Sequence, residues 1–336
     1  MTIHPGIIDC DTVPPEHAAL IGHLCQAAVA LARILAIDTG DKARTAGQAN
    51  GGGDEQKVID AEADALFLDA ARAGGIRHYL SEEQETGLVL ADHGGFALAI
   101  DPLDGSSNVG INMTVGTIFA LFPAGEMLEA SFLRQGRDIA AAGYFIYGPQ
   151  LVLVVSFGDG VRRYVHDPDR NAFSLAPDRM RVPVRTNEFA VNASNYPHWP
   201  RAVQTFVDDM TAGADGPLGQ AFNMRWVASM VADAHRILTR GGLYIYPADR
   251  RKGYERGRLR LLYECFPIGF LMEQAGGQAT DGVDPILARR ATDFHERSGF
   301  AFGSAHLAAR LTAYQDLGDT SRRPALFSQR GLFRST

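Results

Sequence analysis

The sequence predicts a mixed α/β protein built in two halves. Three observations carry that reading. Short β-branched and aromatic runs alternate along the chain with apolar residues at helical spacing. The rhythm changes after Pro177 and Pro183, which places a boundary near residues 175–190. The length of 336 residues suits two domains or one large one.

The elements follow in order. Pro14-Pro15-Glu16 opens a helix over 17–37, with Leu20, Leu24, Ala27, Ala28, Leu31 and Leu35 on one face. Segment 40–53, ending in Asn50-Gly51-Gly52-Gly53, reads as a polar, mobile loop. A second helix covers Val58–Ala73. Strands follow at Phe96–Ile100, Thr114–Phe122, Ala142–Tyr147, Leu151–Phe157 and Val161–Val165. In the second half, helices over Trp199–Met210, Trp226–Thr239 and Leu261–Ala275 alternate with strands at Phe189–Asn192, Leu243–Tyr246 and Phe300–Phe302. The tail, Arg322–Thr336, reads as a surface arm.

Composition narrows the function. Hydrophobic residues are 46% and charged residues 21%, which is globular. The net charge of −7 argues against nucleic acid as a partner and, taken alone, against any polyanion. Cys10, Cys25 and Cys265 form no C-x-x-C motif and suit a reducing cytoplasm. The first 16 residues lack the basic start and apolar run of a secretory signal. The uncharged stretch 139–158 is long enough to span a bilayer, but Gly148-Pro149-Gln150 divides it into two strands and a hairpin turn. No membrane span is expected. P-loop, dinucleotide-binding, zincin and nucleophile-elbow motifs are all missing, so the chemistry falls to the carboxylates.

The strongest local signal is Asp101-Pro102-Leu103-Asp104-Gly105-Ser106-Ser107-Asn108, directly after a predicted strand. Two aspartates at the C-terminal end of a strand can face one crevice. Carboxylates and a turn carbonyl, such as that of Leu103, are hard oxygen ligands of the kind Mg²⁺ prefers. The small residues Gly105, Ser106 and Ser107 can present backbone N–H groups to a phosphate. Alone, the run also reads as a β-turn with an Asx cap. It is accompanied by Glu82-Glu83, by Asp54 and Asp60 around the start of the second helix, and by Glu264 in an apolar stretch. A charge at position 264 needs a cationic partner such as Arg258 or Arg260. Together the seven acids have the composition of a multi-metal phosphoryl-transfer site.

These motifs resemble class 1 fructose-1,6-bisphosphatases. The matching stretches are SEE at 81–83, DPLDGSSN at 101–108, VGTIF at 115–119, SMVADAHR at 229–236, GGLYIYPA at 241–248 and LRLLYEC at 259–265, with a weaker match at 296–304. DPLDG alone admits the wider Mg²⁺-dependent, Li⁺-sensitive sugar-phosphatase superfamily. The YPA run followed by LRLLYE is narrower. A sugar-phosphate sensor without catalysis would have lost ligands or the base, and all seven acids are present.

The resemblance implies a layered α-β-α-β-α sandwich with an N-terminal metal and phosphatase subdomain (1–180) and a C-terminal sugar-phosphate subdomain (181–336). It implies hydrolysis of fructose 1,6-bisphosphate to fructose 6-phosphate and phosphate. It implies roughly two to three Mg²⁺ per subunit, with Mn²⁺ as a substitute. Glu82, Asp101, Asp104, Glu264 and the Leu103 carbonyl match the metal ligands, and Asp54 matches a further metal position. Asp60 and Glu83 match the pair that deprotonates the attacking water. Gly105, Ser106 and Ser107 match the 1-phosphate cradle. Asn192, Tyr196, Arg225, Tyr246 and Arg258 match the 6-phosphate pocket, with Ser229 and Met230 along the sugar. In that family the arginine at 225 comes from a neighbouring subunit, which implies a homo-oligomer, a tetramer. Four departures stand out. Arg258 replaces a lysine and Trp226 a tyrosine, the spacing from Asn192 to Tyr196 is one residue long, and Val109-Gly110-Ile111 replaces a common Ile-Asp. No cysteine lies between Cys25 and Cys265, which argues against thioredoxin control. The terminal LFSQRGLFR resembles extensions of enzymes from autotrophic bacteria. This points to a Calvin-cycle setting with sedoheptulose 1,7-bisphosphate as a second substrate. His235 is expected to be a satisfied packing histidine rather than a ligand.

Overall fold

The structure, a computed structural model, describes residues 7–37, 45–49 and 55–315. Its helices are α1 (Pro15–Leu35), α2 (Val58–Ala73), α3 (Leu128–Phe132), α4 (Arg201–Thr211), α5 (Met230–Arg240), α6 (Phe266–Gln274) and α7 (Ala305–Gln315). Pro15 suits the first turn of α1, where its missing N–H has no acceptor to lose. The first turn of α2 is closed by Asp60, whose Oδ2 accepts the Lys57 N–H at 2.8 Å.

An eight-stranded sheet carries, in spatial order, Ala172–Leu175, Val161–Asp167, Leu151–Ser156, Ala141–Tyr147, Val115–Pro123, Phe96–Asp104, His78–Ser81 and Leu88–Val89. Every pair is antiparallel except His78–Ser81 with Phe96–Asp104. A five-stranded mixed sheet runs Asn223–Met224, Glu188–Val191, Leu243–Tyr246, Phe300–Gly303 and Gln278–Thr280. The uncharged stretch 139–158 folds as the expected hairpin, pairing Ala142 with Ser156 through Tyr147 with Leu151. α1 is the described helix long and apolar enough to cross a membrane, but Ile21, Leu24, Cys25, Ala28 and Leu31 on it are core residues.

Strand alternation sorts the core into layers. Leu98 and Ile100 pack with α1 and α2, whereas Ala97 and Ala99 face α5 and α6. In the second sheet Tyr244, Phe300 and Phe302 join that same central layer, and Leu243, Ile245 and Ala301 pack outward on α4 and α7. The result is an α/β/α/β/α sandwich, with both sheets buried on both faces. α5 and α6 are the shared filling, so anything held at their N-terminal ends lies between the two sheets.

Several boundaries differ from expectation. α4 starts only after Pro200, which lies outside helical geometry at ψ 147°. α5 starts at Met230, because Ser229 is extended and caps it, and Trp226–Ala228 stay outside the helix. Leu261–Cys265 winds as a π turn before α6. Segment 40–53, read as a loop, carries a strand at Thr45–Ala49 paired with Glu55–Lys57. The short strands His78–Ser81, Leu88–Val89, Ala172–Leu175 and Gln278–Thr280, and the helices α3 and α7, were not expected. The arm 322–336 lies outside the described residues.

Candidate active site

The site begins at an irregularity. Along Phe96–Asp104 the pairing runs from Asp101 opposite Ile118 to Asp104 opposite Gly116, so three steps on one strand meet two on the other. Pro102 cannot donate to the ladder, and the bulge falls there. The bulge buries both aspartates, at 5% and 6% exposure. Asp101 Oδ1 accepts the Leu103 N–H at 3.0 Å. Asp104 Oδ2 accepts from Ser229 Oγ at 2.8 Å and from the Val231 N–H at 2.9 Å, and Oδ1 accepts from the Met230 N–H at 3.3 Å. The carboxylate thus sits on the N-terminus of α5, where the helix dipole favours a negative charge. Ser229, expected along the sugar, spends its hydroxyl on Asp104.

Gly105 turns the chain at φ 75° and seats it 3.0 Å from Ser229 Cβ, measured from where a Cβ would stand. A side chain there would be strained on both counts. Ser106–Ile111 then forms a short 3-10 helix whose first N–H groups have no intrahelical acceptor.

A cavity of about 360 Å³ opens beside this turn. Glu82, Asp104, Ser107 and Glu264 line it, together with Asn192, Met230, Tyr246 and Arg258. Members of both groups that the sequence assigned to opposite ends of a ligand therefore share one cavity, whereas Asp60, Glu83, Asp101, Leu103, Gly105 and Ser106 do not line it. Trp226 lines it too, stacked on Tyr244 at 5.6 Å between ring centroids, so the departure at 226 builds an aromatic wall.

Burial pushes the Asp101 carboxyl well above the usual range, and the charges of Glu82, Asp104, Glu264 and Glu83 push it further. Burial also raises Glu264, followed by the charge of Glu82, while the Arg260 N–H, donated to Oε2 at 2.6 Å, holds it down. The Arg260 guanidinium, 2% exposed, reaches Glu82 Oε1 at 3.3 Å. Of the two arginines expected beside Glu264, Arg260 is the one engaged, and it serves both acids. Asp60 is raised by burial, against the Lys57 N–H and the Ser106 hydroxyl. Its Oδ1 is buried and accepts no hydrogen bond among the described residues. Glu83 is half-buried behind the strand His78–Ser81, its N–H donated to Ser81 Oγ at 3.2 Å.

The donor set is all hard oxygen, and its like charges crowd a buried crevice. Both features fit Mg²⁺. No three His, Cys, Asp or Glu side chains among the described residues form a group that could hold a metal ion; Glu82 meets Arg260 and Asp104 meets Ser229. Asp54 lies outside the described residues.

Tyr196, Arg225 and His235 do not line this cavity, and only the first of these departs from expectation. Tyr196 is buried outside the cavity, donating its hydroxyl to Asp208 at 2.7 Å and packing on Trp199. Asn195 instead bonds to the Tyr246 hydroxyl, and the extra residue after Asn192 is what shifts the register. Arg225 is exposed, does not line this chain's cavity, and bonds to its own neighbour's carbonyl, Met224 O, at 3.1 Å. His235 shares a 2.9 Å hydrogen bond with Tyr144 and is no ligand.

Residues 16–178 match the family profile of the fructose-1-6-bisphosphatase N-terminal domain, and residues 182–316 match that of the C-terminal domain. The chain belongs to the fructose-1,6-bisphosphatase family. It is 52% identical over 97% of its length to a class 1 fructose-1,6-bisphosphatase of Cereibacter sphaeroides, covering 98% of that protein. It is 51% identical over 98% of its length to the class 1 enzyme of Paracoccus denitrificans, again covering 98%. The crystal structure of Leishmania major fructose-1,6-bisphosphatase in holo form superposes with a TM-score of 0.84 at 28% identity, covering 91% of this chain and 96% of that one. The fructose-1,6-bisphosphatase fold is therefore shared well beyond the stretches where the sequences agree.

Proposed function

We propose that this chain hydrolyses the 1-phosphate ester of fructose 1,6-bisphosphate to fructose 6-phosphate and phosphate. One observation carries the reading. A single cavity is lined both by the carboxylates Glu82, Asp104 and Glu264 and by Asn192, Tyr246 and Arg258. A sugar with a phosphate at each end suits that lining, because metal-loaded acids would take one phosphate and a guanidinium with a phenol the other.

Glu82, Asp101, Asp104, Glu264 and the Leu103 carbonyl would hold roughly two to three Mg²⁺, or Mn²⁺ in their place. Bound there, the metal neutralises phosphoryl oxygens and lowers the cost of the leaving alkoxide. The rest falls to the chain's own groups. Asp60 and Glu83 accept the proton of the attacking water; the buried Oδ1 of Asp60 and the upward shift of its carboxyl suit a proton acceptor. The N–H groups after Gly105 cradle the 1-phosphate. Ser229 and the first turn of α5 fix the Asp104 carboxylate. Met230 and Trp226 wall the sugar and exclude water.

The two sheets correspond in this reading to subdomains 1–180 and 181–336. Exposed Arg225 reaches the cavity of a neighbouring subunit in a homotetramer. The expected seven-carbon substrate and Calvin-cycle setting belong to the same proposal.

Phosphate release from fructose 1,6-bisphosphate, fructose 1-phosphate, inositol monophosphate and sedoheptulose 1,7-bisphosphate, with and without Mg²⁺, tests it. Metal-dependent release with preference for the two bisphosphates is expected. Equal rates without metal would sink the mechanism. Preference for inositol monophosphate would sink the substrate assignment.

A further inference from the structure

Arg258 lines the cavity on a long, exposed side chain. Such a chain loses much of its rotamer freedom when it is fixed, unless something fixes it beforehand. The loop before it supplies that restraint. Tyr254 Oη accepts a hydrogen bond from Arg258 Nη1 at 2.7 Å, and the Arg258 guanidinium carbon lies 5.6 Å from the Tyr254 ring centroid. Arg251 stacks on the same ring at 4.3 Å. Arg251 is in turn clamped by Asp249, whose Oδ1 and Oδ2 accept from Nε at 3.0 and 3.1 Å. Asp249 is 6% exposed, and the Arg251 partner holds its carboxyl below the usual range against the effect of burial.

The loop is closed as well as clamped. The Asp249 N–H donates to Tyr254 O at 3.0 Å, and the Gly257 N–H donates to the same oxygen at 2.9 Å. Gly257 sits at φ 97°, and a Cβ there would fall 2.1 Å from the Gly299 nitrogen. The base of the loop is therefore packed on Ser298–Gly299 with no room to slide. Asp249, Arg251, Tyr254 and Arg258 form one chain of contacts that starts in the protein and ends in the cavity.

We propose that Tyr254 is a positioning residue for substrate recognition, holding the Arg258 guanidinium aimed at the phosphate remote from the scissile ester. This rests on the reading that Arg258 grips that phosphate. The phenol oxygen takes one N–H of the fork, and a guanidinium carries five. The ring, with Arg251 against it, removes the freedom that would otherwise be lost on binding.

Steady-state kinetics on the full chain with Mg²⁺ decides the matter, using the parent, Tyr254→Phe, Arg258→Met and the double variant. Tyr254→Phe keeps the ring and deletes only the acceptor. It should raise KM for fructose 1,6-bisphosphate about three- to tenfold with kcat close to the parent value. For fructose 1-phosphate, which lacks the remote phosphate, KM should not move. In the Arg258→Met background the second substitution should add nothing. If Arg258→Met raises KM and Tyr254→Phe does not, the positioning role is overturned and the reading of Arg258 stands. If Tyr254→Phe raises KM equally for both substrates, its role is structural and the proposal fails. If Arg258→Met leaves KM for the bisphosphate unchanged, the reading of Arg258 itself falls, and this proposal with it.

Discussion

Ser229 does two jobs with one hydroxyl. It donates to Asp104 at 2.8 Å and accepts the Ala232 N–H at 3.4 Å, capping α5. Ser229→Ala should cost about 1 kcal/mol from the lost cap, read as a lower Tm. It should also lower kcat/KM about tenfold, because Asp104 loses its best-placed donor; Thr at this position should restore most of both. Unchanged kcat/KM with a lower Tm would leave Ser229 a cap and nothing more. Asp60→Asn should lower kcat by about 10²- to 10⁴-fold with little change in KM. In the proposed role of base the active form of Asp60 is the carboxylate, and its pKa is raised, so the parent's kcat should rise with pH through a range above that of an ordinary aspartate. That limb should vanish in the variant, and a limb that persists would assign it to another group. The residues with fixed backbone meaning were legible in the sequence. Asp101, Pro102, Asp104 and Gly105 announce a turn that faces a crevice. Asn195 was not legible, because one extra residue after Asn192 left the register ambiguous between two neighbours. Arg260 was read only as a partner for Glu264, since nothing local shows a guanidinium crossing to Glu82.

At the scale of elements, α5 shows what patterning gives and withholds. Its apolar spacing marks a helix, but the start could be placed only by knowing that Asp104, more than a hundred residues earlier, docks on Ser229, Met230 and Val231. The two strands of the hairpin were legible because buried β-branched runs on both sides of Gly-Pro have few alternatives. α7 was missed because Ala-rich amphipathic segments carry little contrast until α4 is packed against them. The same helix α5 carries a pH prediction. His235 is held neutral by burial and by the nearby charge of Arg163, with its pKa lowered to about 4, and its Nδ1 bonds to Tyr144 across the central layer. The unfolded value is about 6.5, so the folded state binds this proton less tightly than the unfolded state does. The stabilisation is fully present above about pH 6.5 and is lost as pH falls through about 4, amounting to about 3 kcal/mol. Denaturant midpoints measured from pH 7 to pH 4 should fall in the parent and fall less steeply in His235→Gln. Parallel slopes would show that His235 is not the group responsible.

For the whole molecule, the crevice couples two sheets through charge. Glu82, Asp101 and Asp104 come from the first sheet and its turns, and Glu264 comes from the π turn that leads into the central layer. Four carboxylates in a buried space repel one another, and Arg260 answers only part of that charge. The net charge of −7 therefore understates the local problem, and its sign does not forbid a phosphate ligand, since a cation among the acids would offset their charge. A cation bound among these carboxylates would relieve their repulsion. Mg²⁺ that binds the folded chain alone should stabilise it by about 2.7 kcal/mol at a hundredfold excess over its Kd. Asp101→Asn removes the carboxylate that feels every other one. It should therefore raise Tm in chelator relative to the parent, while shrinking the rise that Mg²⁺ produces and abolishing most turnover. Thermal melts of both proteins in chelator and across a Mg²⁺ titration give all the needed numbers. A lower Tm for Asp101→Asn in chelator would show that repulsion at Asp101 does not limit the stability of the metal-free chain. An undiminished Mg²⁺ response would place the metal elsewhere.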